Sequence, residues 1–304
     1  MSANPVPLEQ RDCLLEKSSQ TERSIGLLGC KLDALSDGFR QVNVVNNSLT
    51  SGFNVTSGTK DVGDLDGVGA TTVSTGAAMV VNHLRQAQMT INGAAKVRDN
   101  GSASGTSVVT SLALGANATL DLRDNDMVLK SASAGSWNGS AYTGITGLVA
   151  KGYNDGDWGG KGIVTTVTSA VYPNTLTSLG VATAGGIGAG GTIWSGQSVS
   201  SNDVLVMFTY GGDANLDGVI TGDDYFQIDS GFPQGAHGWI NGDFNYDGII
   251  NGDDYFLIDS NFNSQGGSLA SSAAPPGGVV PVPEPAACVF AMVGALGLRR
   301  RSRR

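Results

Sequence analysis

The chain has almost no glutamate: 4 residues against 23 aspartates in 304. After Glu22 the next one is Glu284. The paired glutamates that hydrolyse most glycosidic bonds are therefore missing, and no aspartate pair stands out as their substitute. Cysteine is scarce as well. Cys13, Cys30 and Cys288 are odd in number, far apart and form no CxxC pair, which argues against a zinc ribbon and against a disulfide framework. His83 and His237 stand alone, and the sequence contains no HExxH helix, GxSxG elbow or Walker-type phosphate loop. The glycine run Gly185–Gly191 neither follows a clear strand nor opens a helix, and reads as a turn. Lysine and arginine are absent from Gly162 to Leu298. That stretch carries Asp203, ten aspartates from Asp213 to Asp259, and Glu284. Phosphate recognition needs clustered basic side chains, so a nucleic-acid partner is excluded for this half. A metal cation is what such a segment invites.

Glycine is abundant, at 45 residues, without the every-third-residue period of collagen. The hydrophobic content of 40% is enough for a buried core. Residues 1–40 fit poorly with the rest. They are charged at first, lack the apolar stretch of a secretory signal, and read as an atypical N-terminus, with either a displaced start or a lost export signal. Over 41–210 the character changes to short apolar alternations between Gly, Asn, Asp, Ser and Thr clusters, as in Gln88–Val97, Ser107–Leu114 and Ala118–Leu122. Period-two alternation bounded by turn formers predicts strands. Ile91 and Leu114 are 23 residues apart, each followed by a polar or glycine step, a spacing close to one turn of a β-solenoid. A sandwich fits the same pattern. One helical interruption is expected at Val80–Ala87, where Val80, Val81, Leu84 and Ala87 have helical spacing. Asp203–Tyr210 predicts a further strand.

That strand leads into the strongest feature of the sequence. Gly212–Phe232 and Gly242–Phe262 are identical at 15 of 21 positions, offset by 30. Each contains D-x-N-x-D-G-x-I-x-x-x-D. Calcium takes six to eight hard oxygens, and a twelve-residue loop supplies them from positions 1, 3, 5, 7, 9 and 12. Those positions are Asp213, Asn215, Asp217, Val219 (through its carbonyl), Thr221 (through water) and Asp224. In the second copy they are Asp243, Asn245, Asp247, Ile249, Asn251 and Asp254. Gly218 and Gly248 stand where the loop turns sharply. Carboxylates this close repel by about 1 kcal/mol per pair even in bulk water, so two Ca2+ ions are expected as part of the folded segment. An entering helix is not expected before either loop, because a strand precedes the first and a Pro- and Gly-bearing stretch precedes the second. After each loop, Tyr225–Ser230 and Tyr255–Ser260 predict short helices carrying Tyr, Phe and Ile inward.

Loop and exit helix without an entering helix, used twice about 30 residues apart, resembles a type I dockerin domain, here residues 211–264. The resemblance implies calcium binding and docking to a cohesin-like module. The residues late in the loop depart from the cellulosomal pattern: Gly222-Asp223 and Gly252-Asp253 replace the hydroxyl pair, and the helices carry no Lys or Arg. A calcium-stapled module packed on the β region is the alternative.

Residues 265–281 read as a Ser-, Gly-, Ala- and Pro-rich linker. At 282–304 come Pro283, Glu284 and Pro285, the apolar Ala286–Leu298, and a basic end with Arg299, Arg300 and Arg301. Thirteen apolar residues are short for a bilayer span of about twenty, but the terminal arginines fit a cytoplasmic end. This order resembles a PEP-CTERM sorting signal. The resemblance implies an exosortase-type protease as partner, transient membrane attachment through the tail, and an exported protein. With the Asn82–Gln86, Leu120–Leu129 and Ser178–Ala184 segments, the whole resembles planctomycete-type bacterial surface proteins.

The expected fold is thus mainly β: a β-solenoid-like body, a small loop–helix calcium module and a C-terminal apolar segment. Catalytic residues are not expected. Asp121, Arg123, Asp124 and Asp126 are the strongest candidate cluster, with Asp121 and Arg123 on one strand face, as in β-helix lyases, but a solvated salt-bridged turn explains them better. Tyr153–Gly160, with Asp155, Asp157 and Trp158, offers either a sugar-stacking site or a turn anchored by its Trp. The reading is a noncatalytic, exported, calcium-binding surface or matrix protein. The alternatives are a dockerin-bearing accessory of a polysaccharide-degrading assembly and a β-helix enzyme acting on extracellular polysaccharide.

Overall fold

Period-two alternation is what closes the chain into a coil. The computed structural model describes residues 24–27, 42–47, 52–130 and 132–271. Strands β1 (Ser24–Leu27) and β2 (Val42–Asn46) are followed by β3 (Phe53–Val55), β4 (Thr59–Asp66), β5 (Ala70–Val73), β6 (Ala78–Val81), β7 (His83–Ile91) and β8 (Ala94–Val97). Then come β9 (Ser107–Leu114), β10 (Thr119–Asp121) and β11 (Met127–Leu129). All pair in parallel with strands one coil away, giving a β-solenoid of about four turns with three flanks. One flank runs β3, β5, β7, β9, β11. Another runs β4, β6, β8, β10, and the third joins β1, β2 and the adjoining ends of β4 and β7. Ile91 pairs with Leu114, the repeat expected from their spacing. Phe53, Val55, Val73, Met79, Val81, Ile91, Val97 and Leu120 alternate inward and are fully buried, each contributing roughly 1.5–3 kcal/mol.

Val80–Ala87 is not a helix. It is the end of β6, a corner at Asn82 and the start of β7. The corner interrupts the alternation, so the inward Val81 and Leu84 fall three residues apart and mimic a helical face. Behind the next corner lies a buried polar ladder: Asn46 Nδ2 donates to Ala70 O (2.8 Å) and Gln86 Oε1 (3.0 Å), and Thr71 Oγ1 also reaches Gln86 Oε1 (3.0 Å). Side-chain amides stacked on successive coils satisfy backbone groups that strand pairing leaves over at a bend.

After β11 the regular coiling stops. Helix α1 (Gly144–Tyr153) intervenes, and β12 (Gly162–Val164) then returns to pair in parallel with β10. Next come β13 (Thr177–Thr183), a small hairpin of β14 (Ile193–Trp194) and β15 (Gln197–Ser198), and β16 (Val204–Tyr210). The glycine run Gly185–Gly191 is the turn after β13. Strand β16 is antiparallel to both β11 and β13, so β13 becomes the sheet edge.

Asp126 lies beneath this junction, fully buried. Its Oδ1 accepts from Phe208 N (3.1 Å), and its Oδ2 accepts from the hydroxyls of Ser195 and Ser271. Burial pushes its pKa up to about 6. A folded pKa above the unfolded value means that the contribution of Asp126 to stability is fully present below about pH 4 and is lost as the pH rises through 6. The expected loss is about 3 kcal/mol over that window. Asp126→Asn keeps the acceptor for Phe208, so the pH dependence of chemical denaturation between pH 4 and 7 should be shallower in the variant by about that amount, the raised loop carboxylates supplying the rest. A slope unchanged in Asp126→Asn would refute the assignment.

Helices α2 (Gly222–Gly231) and α3 (Gly252–Phe262) follow the two acidic loops. Each has a capping box: Thr221 with Asp224, and Asn251 with Asp254. Ile228 and Ile258 point inward, as expected, and Tyr225 and Tyr255 are half-buried. Phe226 and Phe256 do not point inward: both are 68% exposed. Ile lies three residues after Tyr and so shares its face, whereas Phe is turned about 100° away.

The loop–helix segment packs directly on the β body. Trp239 is 1% exposed, stacks on Tyr246 and meets Phe244 edge-on. Its Nε1 donates to Asp213 O at 2.6 Å. Tyr246 donates its hydroxyl to Leu179 O on β13 (2.5 Å), and Asn261 Nδ2 reaches Thr175 O (3.0 Å) and Gly211 O (2.8 Å). Among the described residues there is no helix long and apolar enough to cross a membrane. The linker beyond Ser271, the sorting motif with Pro283, Glu284, Pro285, Arg299, Arg300 and Arg301, and most of residues 1–40 lie outside the described residues.

Candidate metal centres

The two acidic loops are near copies in three dimensions. Leu216 and Tyr246 take left-handed backbone (φ 58° and 61°), and Gly218 and Gly248 both have φ 87°. These bends turn backbone N–H groups onto the carboxylates. Asp213 Oδ2 accepts from Gly218 N (2.8 Å), and Asp243 Oδ2 from Gly248 N (3.0 Å). A side chain at Gly248 would enter the Trp137 ring, 2.5 Å from a Cβ. Asp224 Oδ1 accepts from Ala214 N and Asn215 N, and Asp254 Oδ1 from Phe244 N and Asn245 N. Asn215 and Asn245 each reach the Oδ2 of Asp217 or Asp247 (3.2 and 3.1 Å). Thr221 and Asn251 cap their helices, accepting from Asp223 N and Asp253 N. Val219 and Ile249 bring their N–H groups to Asp217 and Asp247, and Asn251 Nδ2 approaches Ile249 O at 3.4 Å.

Asp213, Asp224, Asp243 and Asp254 have no solvent exposure. Burial raises all four pKa values, Asp213 to about 7 and Asp254 to about 6. Asp243 shows the strain most directly: Tyr142 and Gly248 both donate to its Oδ2, while its Oδ1 is buried with no partner. A hard-oxygen set with an orphaned, buried carboxylate oxygen fits a divalent cation such as calcium.

Another group could hold a metal. Asp64, Asp66 and His83 each bring one ligand atom within 4.8 Å of the others. Strand register puts His83 beside Asp64 on the neighbouring coil. The histidine that stands alone in the sequence is therefore part of a cluster. The signal for it was the corner at Asn82: reading β7 from there in period two places His83 outward.

Neither a family model, nor a curated protein, nor a solved structure matches this chain.

The other candidate residues are engaged in contacts within the chain. Strand β10 ends at Asp121, and Arg123 sits in a turn with φ 56°, so the two do not share a strand face. Asp121 instead accepts from Arg123 N (3.0 Å) and Thr166 Oγ1 (2.7 Å). Arg123 pairs with Asp99 (2.5 Å), which lowers the Asp99 pKa. Asp124 accepts from Asn100 N (2.9 Å). These are the contacts of a salt-bridged turn. Trp158 is 3% exposed and packs edge-on against Tyr153; it anchors its turn and offers no open ring face to a sugar.

Proposed function

We propose that this is a noncatalytic calcium-binding protein of the cell surface or extracellular matrix, in which two Ca2+ ions hold the loop–helix module on a β-solenoid body. The duplicated loop supports this most strongly: two copies with the same bends, the same buried carboxylates and a stranded Asp243 oxygen. Ligands would come from Asp213, Asn215, Asp217, Val219 and Asp224, and from their counterparts Asp243, Asn245, Asp247, Ile249 and Asp254. Thr221 and Asn251 serve mainly as helix caps. The ion supplies charge neutralisation, not a reaction step. Export and membrane sorting through an exosortase-type protease rest on the tail motif Pro283–Pro285 and its arginines.

A docking role is favoured by one observation. Phe226 and Phe256 occupy equivalent exposed positions on α2 and α3, and Tyr225 and Tyr255 cross-bond to Asp259 and Asp229 at 2.7 Å each. A paired, outward aromatic surface suits a cohesin-like module, as in an accessory component of a polysaccharide-degrading assembly.

The test is calorimetric titration of the full chain with calcium. Two sites are expected, with Asp213→Ala removing one and Asp243→Ala the other. Absence of any calcium binding to the folded protein would sink the proposal.

A further inference from the structure

We propose that Asp64, Asp66 and His83 form a third cation site, separate from the acidic loops, that takes a divalent transition-metal ion such as Zn2+. Geometry comes first. Asp64 and Asp66 are two apart on β4 and share its outward face, while Leu65 between them is buried. His83 lies opposite Asp64 in register on β7. Two ligands on one ion at about 2.1 Å can stand at most about 4.2 Å apart. The observed limit of 4.8 Å is wider than that, and Asp64 Oδ1 stands 3.8 Å from Nδ1, so the Asp64 carboxylate has to turn toward Nε2 for the three to share one ion.

The histidine is also set for ligation. Its ring is 6% exposed and held by Ser104, whose backbone carbonyl lies 2.9 Å from Nδ1. A carbonyl can only accept, so Nδ1 carries the hydrogen and Nε2 is left to face Asp66 Oδ1 at 3.1 Å. Between that nitrogen and that carboxylate oxygen there must be either a proton or a cation, because two lone pairs do not attract. Fixing one ring nitrogen on a carbonyl so that the other can ligate is the usual outer-shell arrangement of metal-bound histidine. Asp64 has a similar support: Asn82 Nδ2 donates to its Oδ1 at 2.9 Å, and Arg98 Nη1 holds Asn82 Oδ1 at 3.0 Å. Arg85, the next outward residue on β7, is occupied by the carbonyls of Ala103, Ser104 and Thr106. One imidazole with two carboxylates selects zinc, nickel, cobalt or manganese over calcium, which prefers an all-oxygen set.

The probe is Co2+ added to the full-length protein in excess calcium, which keeps the acidic loops filled. Visible d–d absorption is expected to saturate at one equivalent and to vanish on adding Zn2+. His83→Gln should weaken binding by more than about 100-fold, and Asn82→Ala by about 10-fold, as for an outer partner. Because His83 is buried, the more exposed Asp66→Asn serves as a second variant and should also abolish the spectrum. Asp224→Asn and Asp254→Asn should leave it unchanged, so this site stands or falls apart from the calcium reading. No Co2+ spectrum at saturation, or the same affinity in His83→Gln and Asp66→Asn as in the parent, overturns the proposal.

Discussion

Asp243→Asn is expected to change the sign of its effect on stability between chelator and calcium. In chelator the parent carries four fully buried loop carboxylates whose ionisation burial opposes. Asparagine keeps one oxygen for Tyr142 and Gly248, and its amide group takes the place of the Oδ1 that has no partner. The variant should therefore match or exceed the parent when calcium is absent. With calcium at 1,000 times its Kd, each occupied loop adds about 4 kcal/mol to the parent. The variant forfeits that for its second loop. Urea denaturation in chelator and in saturating calcium reads both signs. A variant equally destabilised in the two conditions would mean that the carboxylate acts only as a hydrogen-bond acceptor.

Trp239→Ala should cost about 3–5 kcal/mol, the range for emptying a large aromatic site. The loss goes beyond volume. Trp239 joins three parts of the molecule: it donates to the first ligand residue of loop one through Asp213 O, stacks on Tyr246 of loop two, and fills the space above Gly180 of β13. Calcium affinity of the first loop should fall together with thermal stability. Gly180→Ala approaches the same seam from the other side, since a Cβ there would lie 2.6 Å from Trp239 Nε1 and 2.5 Å from Leu216 Cδ2. If either variant lowers the unfolding temperature while leaving calcium affinity intact, the seam is not coupled to the loops.

Local chemistry was legible in the sequence, and long-range placement was not. The turn glycines, the inward alternation and the Ile91–Leu114 repeat are each set by a few neighbouring residues, so the strands and the two loop–helix units could be read directly, whereas the choice of a solenoid over a sandwich needed the strand pairing. The corner at Asn82 could not, because a bend in a strand changes the spacing of inward residues from two to three and counterfeits a helix. His83 was missed for the same reason: its partners lie 17 and 19 residues away and meet it only through coil register. The Asp126 site needed Ser195 and Ser271, far along the chain and carrying no pattern of their own. Phe226 and Phe256 were misplaced because hydrophobicity predicts burial, while helical phase decides it.

The antiparallel turn of β16 and β13 has a consequence for how copies of this chain behave together. A parallel coil has an open end whose unpaired backbone can template a neighbour. Here the last strand runs the wrong way for coil-on-coil continuation, and its Leu179 carbonyl is taken by a tyrosine from the second acidic loop. The second acidic loop thus caps the β13 edge at that carbonyl as well as ending the coil.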